Sequence, residues 1–326
     1  MSNVPNELPN YADLPFKEGN PAKTAWGLFG DDDDVGMLNL QTAERVAAAA
    51  KLVKKGVVFA MNWEQEKPSP PLYSRGALRH TVLRNIPIGN HGDDVLDNFY
   101  TQASSQWDGL THVGDYEHGF WGGLTAAELR ESGDKSRLGI DHWARRGIAG
   151  RGVVLDLAAY LKSEGRALDC GETVRIGVAD LEATRAAQGV ELEPGDVLLL
   201  HTGWIAWYEQ QPGQVRQALA VTANLKTPGL DCSEEMAEYL FNHHPSAICS
   251  DNPALEAWPP PDFTDPDGFL HHWIIGRFGM AIGEMFQLGP VAADCASDGA
   301  YECFFTGAPL NVQGGTGSPP NALAIK

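Results

Sequence analysis

The residues best suited to chemistry lie close together at positions 107–118, W-D-G-L-T-H-V-G-D-Y-E-H, where two histidines and three carboxylates fall within twelve residues. Asp108 and His112 stand four apart. One helical turn would bring them onto one face, whereas an extended strand would separate them by about 13 Å, so joint ligation of an ion requires a turn. Carboxylate oxygen and imidazole nitrogen suit zinc, and equally manganese or iron, so the residue types alone do not select a metal. His118 lies further along, at a distance that would let it face the same cavity without being a ligand. Trp107, Phe120 and Trp121 flank the stretch and offer an apolar wall for a flat or cyclic substrate, although core packing is the commoner fate of such residues.

A second cluster is H-H-W-I-I-G-R-F-G-M-A-I-G-E-M-F, which reads as a helix carrying His271 and His272, ending near Gly279, followed by a strand with Met280, Ile282 and Glu284 on one face. Burying an unpaired carboxylate costs several kcal/mol. Glu284 is therefore expected to be protonated, bound to a metal, or paired with a cation such as Arg277. His142, His201 and Asp251 read as hydrogen-bonded structural residues, and His80, His91, His243 and His244 as surface or loop histidines.

The elements that must hold these groups are mixed along the chain. Residues 1–36, rich in Pro, Asn, Gly and Asp, read as an extended N-terminal arm, and residues 37–326 as a single α/β domain. Thr42 is placed to cap a helix that Gly56 stops, with a short strand over 57–61. R-G-I-A-G-R-G-V-V-L-D-L feeds a buried strand, and A-D-L-E-A-T-R-A-A-Q-G is a helix closed by Gly189. The Pro-Gly turn of L-E-P-G-D-V-L-L-L-H leads into another apolar strand, S-E-E-M-A-E-Y-L-F-N-H-H forms an amphipathic helix stopped before Pro245, and S-A-I-C-S is a strand. Some strands are separated too briefly for helical crossovers, which favours a mixed sheet flanked by helices over an all-parallel one. Neither Gly-rich segment matches a dinucleotide or P-loop fingerprint.

The 326 residues are 43% hydrophobic, enough for a sizeable core. Lys plus Arg number 24 against 43 Asp plus Glu, a net charge of −19 that argues against nucleic acid and anionic membrane partners. With no basic segment leading into an apolar run at the start, and no run long enough to span a bilayer, a cytoplasmic location is expected. Five cysteines without C-x-x-C spacing read as buried thiols.

Read together, D-D-D-D-V-G-M-L-N-L, S-Q-W-D-G-L-T-H-V, G-I-A-G-R-G-V-V-L-D, P-G-D-V-L-L-L-H-T-G-W, S-D-N-P-A-L-E and the closing His-to-Glu segment with G-G-T-G-S-P resemble the cyclase-like metal-dependent hydrolases, from about Trp26 onward. That family includes bacterial kynurenine formamidases, isatin hydrolases and a trans-dienelactone hydrolase. Its motif H-x-G-T-H-x-D-x-P-x-H supplies metal ligands from the first two histidines and the aspartate, and an acid–base group from the last histidine. On this chain the motif's ligand histidines fall on Asp108 and His112, its aspartate on Gly114 and its last histidine on His118. Gly114 has no side chain to coordinate, and Asp115 is one place out of register.

The resemblance further implies Glu284 and either His271 or His272 as ligands, with His271 favoured, around at most one divalent ion, zinc or manganese. It implies a swivelling β/β/α fold assembled as a homodimer or homotetramer. The activity it implies is opening of an amide or lactone in a small cyclic or aromatic substrate by metal-activated water, with His118 as acid–base. The alternatives are a cyclase, dehydratase or isomerase using the same pocket, and a catalytically inert small-ligand-binding member.

Overall fold

The computed structural model describes residues 4–84, 91–131, 137–263 and 265–326. Thirteen strands are found among them: β1 (Val58–Ala60), β2 (Arg79–Leu83), β3 (Asp93–Asp97), β4 (Gln106–Asp108), β5 (Ile148–Asp156), β6 (Arg175–Ile176), β7 (Val197–His201), β8 (Gly229–Leu230), β9 (Ala247–Ser250), β10 (Ala281–Glu284), β11 (Glu302–Gly307), β12 (Gly317–Ser318) and β13 (Leu323–Ile325). Nine of these form one mixed sheet in the order β1-β13-β11-β5-β7-β9-β10-β4-β12, while β2 with β3 and β6 with β8 form small two-stranded sheets.

The centre, β5-β7-β9-β10, is parallel, and antiparallel strands flank it on both sides. The central strands are near-continuous apolar runs because both faces are covered: Val153 to Leu155, Val197 to Leu200, and Ala247 to Cys249 are all at most 1% exposed. The crossovers carry the helices Val178–Gln188 and Glu234–His243. Gly189 ends the first in the left-handed conformation, and the Ser233 hydroxyl caps the second by accepting from the Met236 amide.

Two sequence expectations are corrected. The helix capped by Thr42 is regular only over Ala43–Ala49 and tightens into a 3-10 turn, Ala50–Leu52, well before Gly56. Beyond it, the amides of Lys55 and Val57 donate to the Lys326 carbonyl, so sheet-edge pairing takes the backbone that local propensity assigned to the helix. His244 is not a surface residue. It is 6% exposed, terminates its helix in the left-handed conformation and bonds the Pro9 carbonyl through Nε2 at 2.8 Å.

Residues 4–36 hold little regular structure, yet Tyr11, Trp26, Leu28 and Phe29 are buried. Trp26 Nε1 donates to the Gly276 carbonyl at 2.8 Å and the Ala25 amide to the Arg277 carbonyl at 2.9 Å, which fastens this segment to the turn that follows His271. Cys170, Cys249, Cys295 and Cys303 are buried, Cys232 is half-buried, and all five are free thiols.

Candidate metal centre and its cleft

Strand pairing, more than proximity in sequence, assembles the site. β4 lies antiparallel to β10, with Asp108 opposite Ile282 and Gln106 opposite Glu284. Alternation along β4 puts Gln106 and Asp108 on one face and Trp107 on the other. Glu284 therefore shares a face with Asp108, diagonally across the strand pair. The third group arrives on the β9–β10 connection, where His271 precedes a π-helix over His272–Arg277. Widened turns of this kind recur at functional sites.

His271 Nε2 stands 3.3 Å from Glu284 Oε1 and 3.9 Å from Asp108 Oδ2, and all three side chains are buried. Both Glu256 oxygens accept from His271 Nδ1 at 2.9 Å, and Phe269 stacks on the ring at 4.6 Å. The ring is thus oriented with Nε2 aimed at the carboxylates. The Gln106 amide nitrogen donates to Glu284 Oε2 at 2.8 Å and to Asp108 Oδ1 at 3.1 Å.

The electrostatics are those of a crowded acidic site. Burial, reinforced by Asp108, pushes the Glu284 carboxyl up to about 8. Burial also raises Glu256. For His271 burial works against the charged form, but Glu256 and Glu284 outweigh it and hold the imidazole well above its ordinary range. Glu284 is not paired with Arg277, as its cost of burial had allowed: Arg277 Nε donates to Asp115 at 2.6 Å and its Nη1 to Asp267 at 2.8 Å.

A turn follows Asp108, with the His112 amide donating to the Gly109 carbonyl at 2.9 Å. It brings His112 Nε2 to 3.6 Å from Asp108 Oδ1. His112 lines the open side of the site together with Tyr73, Arg75, Trp258 and Phe269, around a cleft of about 220 Å³ floored by His271 and Glu284. Burial lowers the His112 pKa, so the ring is neutral at pH 7.

The other sequence candidates lie elsewhere. His272 turns away from the carboxylates, its Nδ1 3.2 Å from the Pro266 carbonyl. His118 Nδ1 bonds Asp115 at 2.7 Å, beside Arg277, and His118 is not among the residues lining the cleft. Trp107 is a core side chain packed edge-on against Phe286 and Phe305. Trp121 is 2% exposed and donates to Asp33, and Phe120 is half-buried beside the core. Gln102, Gln106, Glu256, Tyr73, Arg75, Trp258 and Phe269 had drawn no attention as site residues. The sequence signals for them are S-Q-W-D-G-L-T-H-V, which contains Gln106, and S-D-N-P-A-L-E, which ends in Glu256.

One buried imidazole nitrogen and two buried carboxylates offer ligand atoms within 4.8 Å of one another. With a carboxylate on the far ring nitrogen, this is the donor set and outer support of a divalent-cation site. Gly114 and Asp115 add nothing to it. A Cβ on Gly114 would stand 2.7 Å from the Gly119 carbonyl oxygen, so the loop leaves no room for a side chain there, and Asp115 is taken up by His118 and Arg277. The residues present fit one ion.

A family model described as "Putative cyclase" matches residues 61–257, more than half of the chain. The chain belongs to the cyclase family. A crystal structure of a novel cyclase superposes with a TM-score of 0.79 at 30% identity, covering 93% of this chain and 99% of that one. Isatin hydrolase A from Labrenzia aggregata, bound to benzyl benzoate, has a TM-score of 0.58 at 12% identity and covers 82% of this chain and 93% of its own. The corresponding enzyme from Ralstonia solanacearum has a TM-score of 0.54 at 16% identity, covering 87% and 96%. At such identities the likeness to isatin hydrolases shows a shared fold. No curated protein matches the chain. Among the described residues of this cyclase-family protein, no helix is long and apolar enough to cross a membrane.

Proposed function

We propose that this cyclase-family protein is a hydrolase that opens the acyl C–N or C–O bond of a small cyclic or aromatic amide or lactone. The observation that carries the proposal is the convergence of Asp108 with His271 and Glu284, the last two flooring a cleft walled by Tyr73, Trp258 and Phe269. These three ligand residues would hold one divalent ion, zinc or manganese, whose chemistry when bound is to polarise a carbonyl and lower the pKa of water toward 7. Glu256 keeps His271 in the tautomer whose Nε2 is free for it.

The chain's own residues do the rest. The aromatic walls receive a flat ring and exclude bulk water from the acyl group. His112, neutral at pH 7 and on the cleft wall, takes a proton from water and returns it to the leaving nitrogen or oxygen, a role typically worth about 10² to 10⁴ in rate. The resemblance in sequence assigns that role to His118. Its ion pair with Asp115 and its position outside the cleft lining favour His112.

On a confirmed substrate, His112→Ala should lower kcat by about 10² or more, with His118→Ala within a few-fold of the unmutated enzyme. The reverse ranking would return the proton transfer to His118. Elemental analysis of protein purified without added metal should find about one divalent ion per chain, lost in Glu284→Ala and Asp108→Ala; sub-stoichiometric metal in the unmutated protein would remove the metal-dependent mechanism.

Cyclisation or dehydration without attack by water is the alternative, favoured by one feature: the cleft holds both Glu284, protonated at neutral pH in the metal-free site, and the neutral imidazole of His112, a proton donor and a proton acceptor. Reaction in ¹⁸O-labelled water separates the two, because only hydrolysis places the label in the product acid.

A further inference from the structure

Arg75 stands out among the groups that wall the cleft. It sits half-buried where the cleft meets a second hollow of about 350 Å³, lined by Asn98, Phe99, Tyr100, Thr101 and Gln102, so its guanidinium borders both spaces. Among the described residues it has no carboxylate at ion-pair distance, although the chain carries 43 acidic residues and most of its buried or half-buried arginines are paired. What it does touch is neutral. One Nη donates to the Gln102 carbonyl and, at 3.3 Å, to Gln106 Oε1, while the guanidinium lies 5.2 Å from the Tyr73 ring centroid. Among the described residues the remaining N–H groups of this five-donor fork have no hydrogen-bond partner.

The backbone that delivers this side chain is held in an unfavourable conformation. Tyr73 and Ser74 both have positive φ, +55° and +59°, and consecutive non-glycine residues in that region are uncommon. The Tyr73 hydroxyl, bonded to the Pro253 carbonyl at 3.1 Å, locks the turn against the opposite wall of the cleft. Gln106 then links the arginine to the metal centre: its Oε1 accepts from Arg75 while its Nε2 donates to Asp108 and Glu284. The charge is thus fixed in place, backed by neutral acceptors and, among the described residues, in contact with no carboxylate, Glu284 acting on it only across the cleft, which is how a fork that reads a planar anion is built.

We infer that Arg75 is a specificity-determining residue that binds a carboxylate carried by the substrate apart from the acyl bond that is opened. This rests on the hydrolase reading of the cleft and narrows its substrate class to aromatic or cyclic acyl compounds bearing an anionic group. The ring stands between Tyr73, Trp258 and Phe269, and the carboxylate is held toward the second hollow. An anion placed there is kept away from Asp108 and Glu284, whose negative charge would otherwise repel it.

Benzoate and its neutral isostere benzamide test this by isothermal titration calorimetry, on zinc-loaded and on chelator-treated protein. Benzoate should bind at least about tenfold more tightly than benzamide in both preparations. Persistence of the preference after chelation separates Arg75 from a metal contact. The preference should vanish in Arg75→Met and survive in part in Arg75→Lys, which keeps the charge without the fork. Equal binding of the two probes by unmutated protein, or an undiminished benzoate preference in a folded Arg75→Met protein, would overturn the inference. Should Arg75→Met fail to fold, an unchanged benzoate affinity in Arg75→Lys would do so. Because the readout is binding, absence of turnover on amide and lactone panels counts against the hydrolase reading and leaves this result standing.

Discussion

Glu256→Gln isolates the second carboxylate layer of the site. Both Glu256 oxygens lie 2.9 Å from His271 Nδ1, and the side chain is fully buried. Glutamine keeps the shape and one acceptor but removes the charge. A hydrogen bond to a charged partner contributes about 1.5–3 kcal/mol and a neutral one about 0.5–1.5 kcal/mol, so the substitution should cost about 1–1.5 kcal/mol of support for the His271 ring. That corresponds to roughly tenfold weaker binding of a divalent ion, at the lower end of the 10- to 100-fold loss usual when an outer partner of a ligand histidine is removed. Competition between the protein and a fluorescent zinc chelator measures the effect directly, and far-UV circular dichroism confirms that the variant is folded. Unchanged zinc affinity in a folded Glu256→Gln protein would refute the reasoning, since it would mean that fixing Nδ1 does not aim Nε2 at an ion held by Asp108 and Glu284.

Other consequences concern the loop and turn that position the site. Arg277→Met strips the guanidinium from Asp115, whose side chain is 1% exposed and keeps His118 and two backbone amides as partners, and should destabilise the protein by about 1.5–3 kcal/mol in urea unfolding; a loss below about 1 kcal/mol would show that those partners suffice. Burial works to raise the Asp115 carboxyl, but hydrogen bonds from Arg277 and His118 hold it below its ordinary value. A carboxyl depressed in the folded state contributes stability that is complete above its unfolded pKa of about 3.9 and is lost as pH falls toward the folded value, so the melting temperature should drop on acidification below about pH 4. In Arg277→Met that acid slope should flatten, and an unchanged slope would assign it to other carboxylates. Gly279 has φ +67°, and a Cβ there would lie 2.7–2.8 Å from the Trp121 indole. Gly279→Ala should therefore lower stability by at least about 1–3 kcal/mol, read by scanning calorimetry, and a neutral result would mean that Trp121 yields.

Much of the architecture was legible because it is written in local pattern. The apolar runs of β5, β7 and β9, the Ser233 cap and the Gly189 stop each follow from residue types within a few positions, and a mixed sheet follows from how short some connections are. The lone acid on an apolar strand likewise makes Glu284 stand out, and a turn of the kind that joint ligation by Asp108 and His112 would require is made at Gly109. What was not legible depends on register and on packing between distant segments. The nearness of Trp107 to Asp108 in sequence leaves both a substrate wall and core packing open, but adjacent residues on a strand face opposite ways, and the antiparallel register with β10 sends its indole into the core. Arg277 was the nearest cation to Glu284 in sequence, yet Gly276 lets the 114–115 backbone close to a distance at which a Cβ would stand 2.3 Å from the Asp115 amide, and Asp115 captures the arginine. The competition for Arg277 has a chemical consequence: among the described residues His271 is the one basic side chain within ion-pair distance of Glu284, Arg75 acting on it from further off. Asp108 and Glu284 share one face of the β4–β10 pair on a diagonal, with His271 Nε2 within 3.9 Å of both, two buried carboxyl groups whose ionised forms a divalent ion is suited to neutralise.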